Sequence, residues 1–114
     1  MRQITDPVSV DVNNNTVYTE SFRVEPSAQF IAAIVERTAG AGTCAVTLQG
    51  ALSPDAADAD WVDTTLTQGT YNANAPIQLV DADGVLHIFA AWPYYRFKVV
   101  SVGAATIVGR VTSA

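Results

Sequence analysis

The feature that most restricts the fold of this chain is a short-range alternation of apolar and polar residues. In residues 8–12, three valines alternate with a serine and an aspartate. In residues 43–52, Cys44, Val46 and Leu48 share one phase and polar side chains share the other. In residues 95–102, Phe97 and Val99 alternate with basic residues. A period of two is typical of strands with one buried face, so these runs predict β-structure.

Turn residues separate the runs at intervals of about 8–12 residues, the spacing of a sandwich or barrel. Asparagines at 13–15, glycines at 40 and 42, the segment 81–84 and Gly103 mark turns. Residues 30–37 (FIAAIVER) fit two turns of helix, but their branched side chains and the glycines that follow favour a strand buried on both faces. Residues 68–76 have the composition of a loop. Further strands are predicted at residues 16–24, 61–66, 77–80, 85–91 and 106–112.

These elements predict one all-β domain over residues 1–114, a single antiparallel β-sandwich of eight or nine short strands that is jelly-roll-like. Residues 1–12 are expected to form an N-terminal arm or edge strand. A chain of 114 residues has the size of one domain and can bury a real core.

The charge distribution argues against nucleic-acid binding. The net charge is -5, and residues 38–95 hold six acids and no base. Six scattered bases do not form the cationic patch that phosphate binding needs. The last segment, residues 96–114, holds three bases and no acid, which fits head-to-tail docking of subunits. The same charge distribution is also explained if the acids lie on loops and the bases extend from a last hairpin into solvent, and we prefer this interpretation.

The sequence offers few residues for catalysis or for soft metals. One cysteine excludes an internal disulfide, and Cys44 is expected to be a small buried hydrophobe. The single histidine, His87, lies in a predicted strand, and zinc sites need more Cys and His residues than the chain has. We therefore expect no enzyme and no cofactor. The chain shows neither a signal-like segment nor an apolar run long enough for a membrane, so we expect folding in a cytoplasm.

The acidic loop, residues 48–64 (LQGALSPDAADADWVDT), has three interpretations. Asp55, Asp58, Asp60 and Asp63 are hard oxygen ligands of the kind calcium prefers, but their spacing matches no calcium loop. A glycosidase needs two carboxylates facing each other across a cleft, which one loop holds poorly. We favour a solvated turn, followed by Trp61 as a core anchor whose indole N–H finds a partner.

A second cluster of aromatic residues surrounds Pro93. Trp92, Tyr94 and Tyr95 fit core packing at a strand end, a subunit contact, or a sugar-binding platform, in decreasing order of preference.

Three stretches together resemble small virion proteins of tailed bacteriophages: residues 46–55 (VTLQGALSPD), 61–65 (WVDTT) and 95–101 (YRFKVVS). They also resemble discoidin-like and other jelly-roll sandwiches, in which an Asp-loop-Trp unit turns a corner between sheets. The resemblance covers roughly residues 44–112. This chain departs from the pattern in having a longer and more acidic loop before the tryptophan.

The resemblance implies a non-enzymatic virion protein, assembled in the host cytoplasm. A head decoration or cement protein that binds the major capsid protein or other virion proteins, as a homo-oligomer, is the preferred function. The alternatives are a tail, neck or fibre component, or a carbohydrate-binding module used in host attachment. Neither nucleic acid nor membrane is an expected partner. The expected interface residues come from the arm, the 71–74 loop and the aromatic corner: Ile4, Val8, Tyr71, Asn72, Trp92 and Tyr94.

Overall fold

The computed structural model describes residues 3–25, 27–89 and 92–114. In these residues the regular structure consists of strands and one 3-10 turn at Asp58–Asp60, which confirms the all-β prediction. The strands are β1 (Gln3–Ile4), β2 (Val8–Asn13), β3 (Thr16–Tyr18), β4 (Phe22–Arg23), β5 (Phe30–Gly40), β6 (Thr43–Ala51), β7 (Val62–Tyr71), β8 (Ile77–Gln78), β9 (His87–Phe89), β10 (Tyr94–Val102) and β11 (Ala104–Ser113).

The strands form two antiparallel sheets. In sheet I, β1 and β2 follow each other along one edge of β11, β5 pairs with the other edge, and β8 and β9 pair with the far edge of β5. In sheet II, β3 and β4 line one edge of β10, and β6 and then β7 follow on the other side. Each sheet thus has four strand positions, in the orders 2-11-5-9 and 3-10-6-7. This is the arrangement of a jelly roll, as the sequence predicts.

The core lies between the inner faces of the two sheets. Cys44, Val46 and Leu48 point inward from β6, as their phase predicts. On the neighbouring strand β10, Phe97 and Val99 point inward beside them. The fully buried large side chains include Tyr95, Phe97, Ile31, Leu48, Leu66, Leu79, Ile107, Val35, Val46, Val99 and Val111.

Glycines join the two sheets at one end of the sandwich. Gly40 and Gly103 have φ values of +80° and +86°, which L side chains rarely adopt. The Gly42 amide donates to the Ala104 carbonyl at 2.8 Å. A Cβ on Gly42 would lie 2.7 Å from the carbonyl carbon of Gly103. The glycines let the backbones of the β5–β6 and β10–β11 connections come into contact.

Several predicted boundaries differ from the structure. The predicted strand at 16–24 is divided into β3 and β4, because the Thr19 hydroxyl accepts the Phe97 amide at 2.9 Å and interrupts the ladder. The predicted loop at 68–76 is shorter, since β7 continues to Tyr71. Strand β5 is buried on its inner face only: Ile34 on its outer face is half-exposed, so the expectation of burial on both faces is wrong.

Candidate interaction surfaces

Arg96 holds the acidic loop against the outer face of sheet II. It projects outward from β10, yet it is only 7% exposed. Its guanidinium carbon lies 3.9 Å from the centroid of the Tyr18 ring and 4.5 Å from that of the Trp61 ring. A cation between two aromatic faces is stabilised by the quadrupoles of both rings. Arg96 is therefore a buried link between the loop and the sheet, not a solvated base at a hairpin.

Hydrogen bonds complete this network. Arg96 donates from Nε to Gln49 Oε1 at 2.8 Å and from Nη1 to Asp58 Oδ1 at 3.0 Å. Gln49 in turn donates to Asp63 Oδ1 at 2.7 Å. The Arg96 Nη2 is buried and has no hydrogen-bond partner among the described residues. Because the Asp58 side chain is 75% exposed, water screens its ion pair, and the pair contributes modestly.

Trp61 anchors the loop, but outside the sandwich core. Its indole Nε1 donates to the Ala56 carbonyl at 3.0 Å, so the expected partner for the N–H exists. Its ring is buried over Arg96 on the outer face of sheet II, whereas the sequence placed it in the core. The loop joins β6 to β7 within one sheet and does not turn a corner between sheets.

The four loop aspartates do not converge in the structure. Within residues 3–25, 27–89 and 92–114, no three Asp, Glu, His or Cys side chains are grouped so that they could hold a metal ion. Asp58 and Asp63 are instead bonded to Arg96 and Gln49.

The aromatic corner is largely structural. Trp92 is half-buried and packs against the core, and its ring fills the space above Gly50, where a Cβ would lie 2.2 Å from ring carbon Cδ1. The Trp92 amide donates to the hydroxyl of fully buried Tyr95 at 3.2 Å. Tyr94 is half-buried at an outward position of β10, beside Ala51.

Tyr71 lies in the core and not on the surface where the sequence analysis placed it. Its side chain is 3% exposed, and its hydroxyl donates to the Ala75 carbonyl and accepts the Arg37 amide. Arg37 is itself buried and donates to Gly42 O and Asn74 Oδ1, both at 2.6 Å. The neighbouring Asn72 is exposed.

Cys44 lies in this buried region, as its phase in β6 predicts. Burial raises the pKa of its thiol above the ordinary value of 9.0, and the Arg37 guanidinium partly offsets the rise.

The described part of the N-terminal arm extends the chain's own sheet. β1 pairs with β11, Thr5 donates its amide to Val111 O at 2.9 Å, and its hydroxyl accepts the Val111 amide at 2.9 Å. Ile4 is 56% exposed on the outer face, whereas Val8 is half-buried and packs against the core. An arm that added a strand to a neighbour would first have to leave β11.

The outward positions of β10 change from charged to apolar along the strand. Arg96 and Lys98 are followed by Val100 and Val102, which are 42% and 73% exposed. In register, Val100 lies beside Ala45 of β6 and Val102 beside Thr43. Val100, Val102 and Ala45 are called the valine patch below. A single exposed valine is ordinary, whereas contiguous apolar side chains on one sheet face make a candidate contact surface.

No protein-family model and no curated protein matches the sequence. Among the described residues, no helix is long and apolar enough to cross a membrane.

Solved structures are similar in fold. The crystal structure of PirA has a TM-score of 0.53 and 17% identity, over 96% of this chain and 95% of that chain. A mitogen derived from Yersinia pseudotuberculosis has a TM-score of 0.51 and 10% identity, over 100% and 88% of the two chains. The SPBc2 prophage-derived protein YomS has a TM-score of 0.48 and 14% identity, over 96% of each chain. At these identities, the chain shares an all-β fold with PirA and the mitogen.

Proposed function

We propose that the chain is a non-enzymatic structural protein of a tailed-phage virion, which binds the outside of the head as a decoration or cement protein. The observation that carries the proposal is the valine patch. An outward strand face in contact with water normally presents polar side chains, and here it presents Val100 and Val102 side by side.

The patch suits a protein that acts in many copies. Complete burial of a valine side chain contributes about 1.5–3 kcal/mol. Val100 and Val102 are partly covered already, so a partner that covered them would gain about 2–3 kcal/mol from both. Contacts of that size are weak alone. Decoration proteins act through multivalency, since each additional linked contact forms at a high effective concentration.

The resemblance to small virion proteins supports the same function. Its three stretches fall on β6, on the start of β7 and on β10, which are neighbours in sheet II. They contain the bonded side chains Gln49, Trp61, Asp63 and Arg96. The resemblance thus follows one structural unit, a loop fastened over the outer face of sheet II by a buried arginine.

The test is binding to empty capsid shells assembled from the major capsid protein encoded with this chain. The variant Val102→Asp places a charge in the valine patch, and we expect it to sediment with the shells at least tenfold more weakly than the unmodified chain. Val62→Asp is the matched control, because Val62 is also exposed but lies on β7, away from the patch. Equal binding of both variants would contradict the proposed surface. Binding to purified tails and not to shells would place the protein in the tail, the first alternative.

The carbohydrate-binding alternative receives less support from the geometry. A sugar platform needs an aromatic face open to the ligand, whereas the Trp92 ring packs onto Gly50 and the Tyr95 hydroxyl is bonded to the Trp92 backbone.

A further inference from the structure

A groove of about 250 Å³ lies on the outer face of sheet I, on the opposite side of the sandwich from the valine patch. Strands β1, β5 and β11 line it, together with Pro76 ahead of β8. Ile4, Ile34 and Val108 give it apolar walls, and Glu36 and Arg110 place one charge of each sign beside them. Its lining is therefore mostly apolar, with Thr112, one acid and one base as the polar residues.

The register of β5 and β11 arranges four of these residues as a square. Val108 lies directly beside Glu36, and Arg110 lies directly beside Ile34. Outward residues on adjacent strands point to the same side, so all four project from the outer face. The two apolar side chains occupy one diagonal of the square and the two charged side chains occupy the other. Ile34, Glu36, Val108 and Arg110 are called the diagonal quartet below.

Neither charge of the quartet has an ion-pair partner in the described residues, where the salt bridge that forms is Arg96–Asp58. Arg110 is exposed, and Glu36 is half-buried beside the groove. A free acid and a free base on an apolar surface are complementary to a partner with the opposite arrangement.

We propose that the occupant of this face is a second copy of the chain, docked by a two-fold rotation. A rotation about the apolar diagonal brings Arg110 of each copy over Glu36 of the other. The same rotation places the Ile34–Val108 diagonals against each other. The quartet is thus its own complement, which is the requirement for an isologous dimer interface. The proposal does not rest on the virion function, because it uses the other face of the sandwich.

The test is the mass in solution, measured by sedimentation velocity over a range of protein concentrations. We expect a dimer for the unmodified chain and at least a tenfold weaker dimer for Arg110→Glu, which opposes two acids at each contact. The double variant Glu36→Arg with Arg110→Glu exchanges the signs and is expected to restore the dimer. Arg23→Glu is the matched control, since it makes the same charge change at an exposed position on sheet II.

Restoration by the double variant separates a docking effect from damage to the fold, and thermal unfolding of each variant verifies that it folds. A monomer at all concentrations for the unmodified chain would overturn the proposal. So would a dimer that Arg110→Glu leaves intact, or one that the double variant fails to restore.

Discussion

Replacing Gly109 by alanine tests the sandwich packing directly. Gly109 faces inward from β11, opposite Phe97 of the other sheet. An added Cβ would lie 2.6 Å from Phe97 Cε2 and 2.8 Å from Cδ2. The Phe97 ring is fully buried, and its centroid lies 5.8 Å from that of Phe22. The ring has little room to withdraw, so the new methyl group must push the sheets apart or force Phe97 from its rotamer.

The magnitude follows from two opposing effects. Overpacking of this kind costs about 1–3 kcal/mol. Removing the conformational freedom of a glycine in the unfolded chain returns about 0.5–1 kcal/mol. The difference between the two effects is about 0–2.5 kcal/mol. Because the added Cβ would meet three atoms of the buried Phe97 ring at 2.6–3.0 Å, we expect the overpacking cost to lie in the upper part of its range, so that Gly109→Ala lowers the free energy of unfolding by about 1–2 kcal/mol. Gly69→Ala is the matched control: Gly69 lies in β7 with nothing within 4 Å of an added Cβ, so only the second effect acts. Its free energy of unfolding should rise by about 0.5–1 kcal/mol.

The assay is equilibrium urea unfolding of both variants, followed by far-UV circular dichroism, with the midpoint as the readout. The expected order of midpoints is Gly69→Ala, the unmodified chain, then Gly109→Ala. A Gly109→Ala midpoint equal to or above that of the unmodified chain would refute the close approach of β11 to Phe97 and, with it, the sandwich packing described here.

Four further predictions concern the acidic loop and the buried thiol. Trp61→Ala should lower the free energy of unfolding by about 3–5 kcal/mol, as for other buried aromatic residues, in the same urea assay. Asp58→Asn should lower the free energy of unfolding by less than about 1 kcal/mol, because water screens the exposed Asp58 carboxylate. A larger loss would show that the ion pair between Asp58 and Arg96 is stronger than the exposure of Asp58 indicates. The Cys44 thiol should resist a thiol-reactive dye at pH 8 until the chain is unfolded, which absorbance follows. Because burial raises the pKa of the Cys44 thiol in the folded chain, the free energy of unfolding should fall as the pH rises above about 9.0, where the thiol of the unfolded chain ionises first. A Cys44→Ala variant should lose this part of the decline. A variant that keeps the full decline would contradict the role of Cys44.

The sequence predicts the fold better than it predicts the surface. Alternation fixes which side chains of β6 and β10 face inward, because a shift of one residue would expose Leu48 and Phe97. Turn residues locate the connections for a local reason, since glycine adopts the positive φ values at positions 40 and 103 without the strain that a side chain would bring. The fold class follows from these local rules, which can be applied to a single amino-acid sequence.

The role of Arg96 could not be read in the same way. Its place in the alternation predicts an outward and solvated base, and its contacts Tyr18, Gln49 and Trp61 are distant in sequence. Arg96 is buried because the acidic loop folds back over sheet II, and this arrangement depends on contacts between residues that are far apart in the sequence. The one available signal was the presence of an acid-rich loop together with a base-rich last segment, residues 96–114. Tyr71 was misplaced for a similar reason, because Gly69 and the asparagines at 72 and 74 suggest a loop although β7 extends to Tyr71.

The proposed place of this chain in a virion shell can be examined by quantitative co-sedimentation of the purified chain with empty shells assembled from the major capsid protein of the proposed phage. We expect saturable binding at a fixed ratio of chain to capsid subunit, with the bound chain recovered in the shell fraction. A chain that stays in the supernatant at every concentration, while the shells sediment intact, would contradict it.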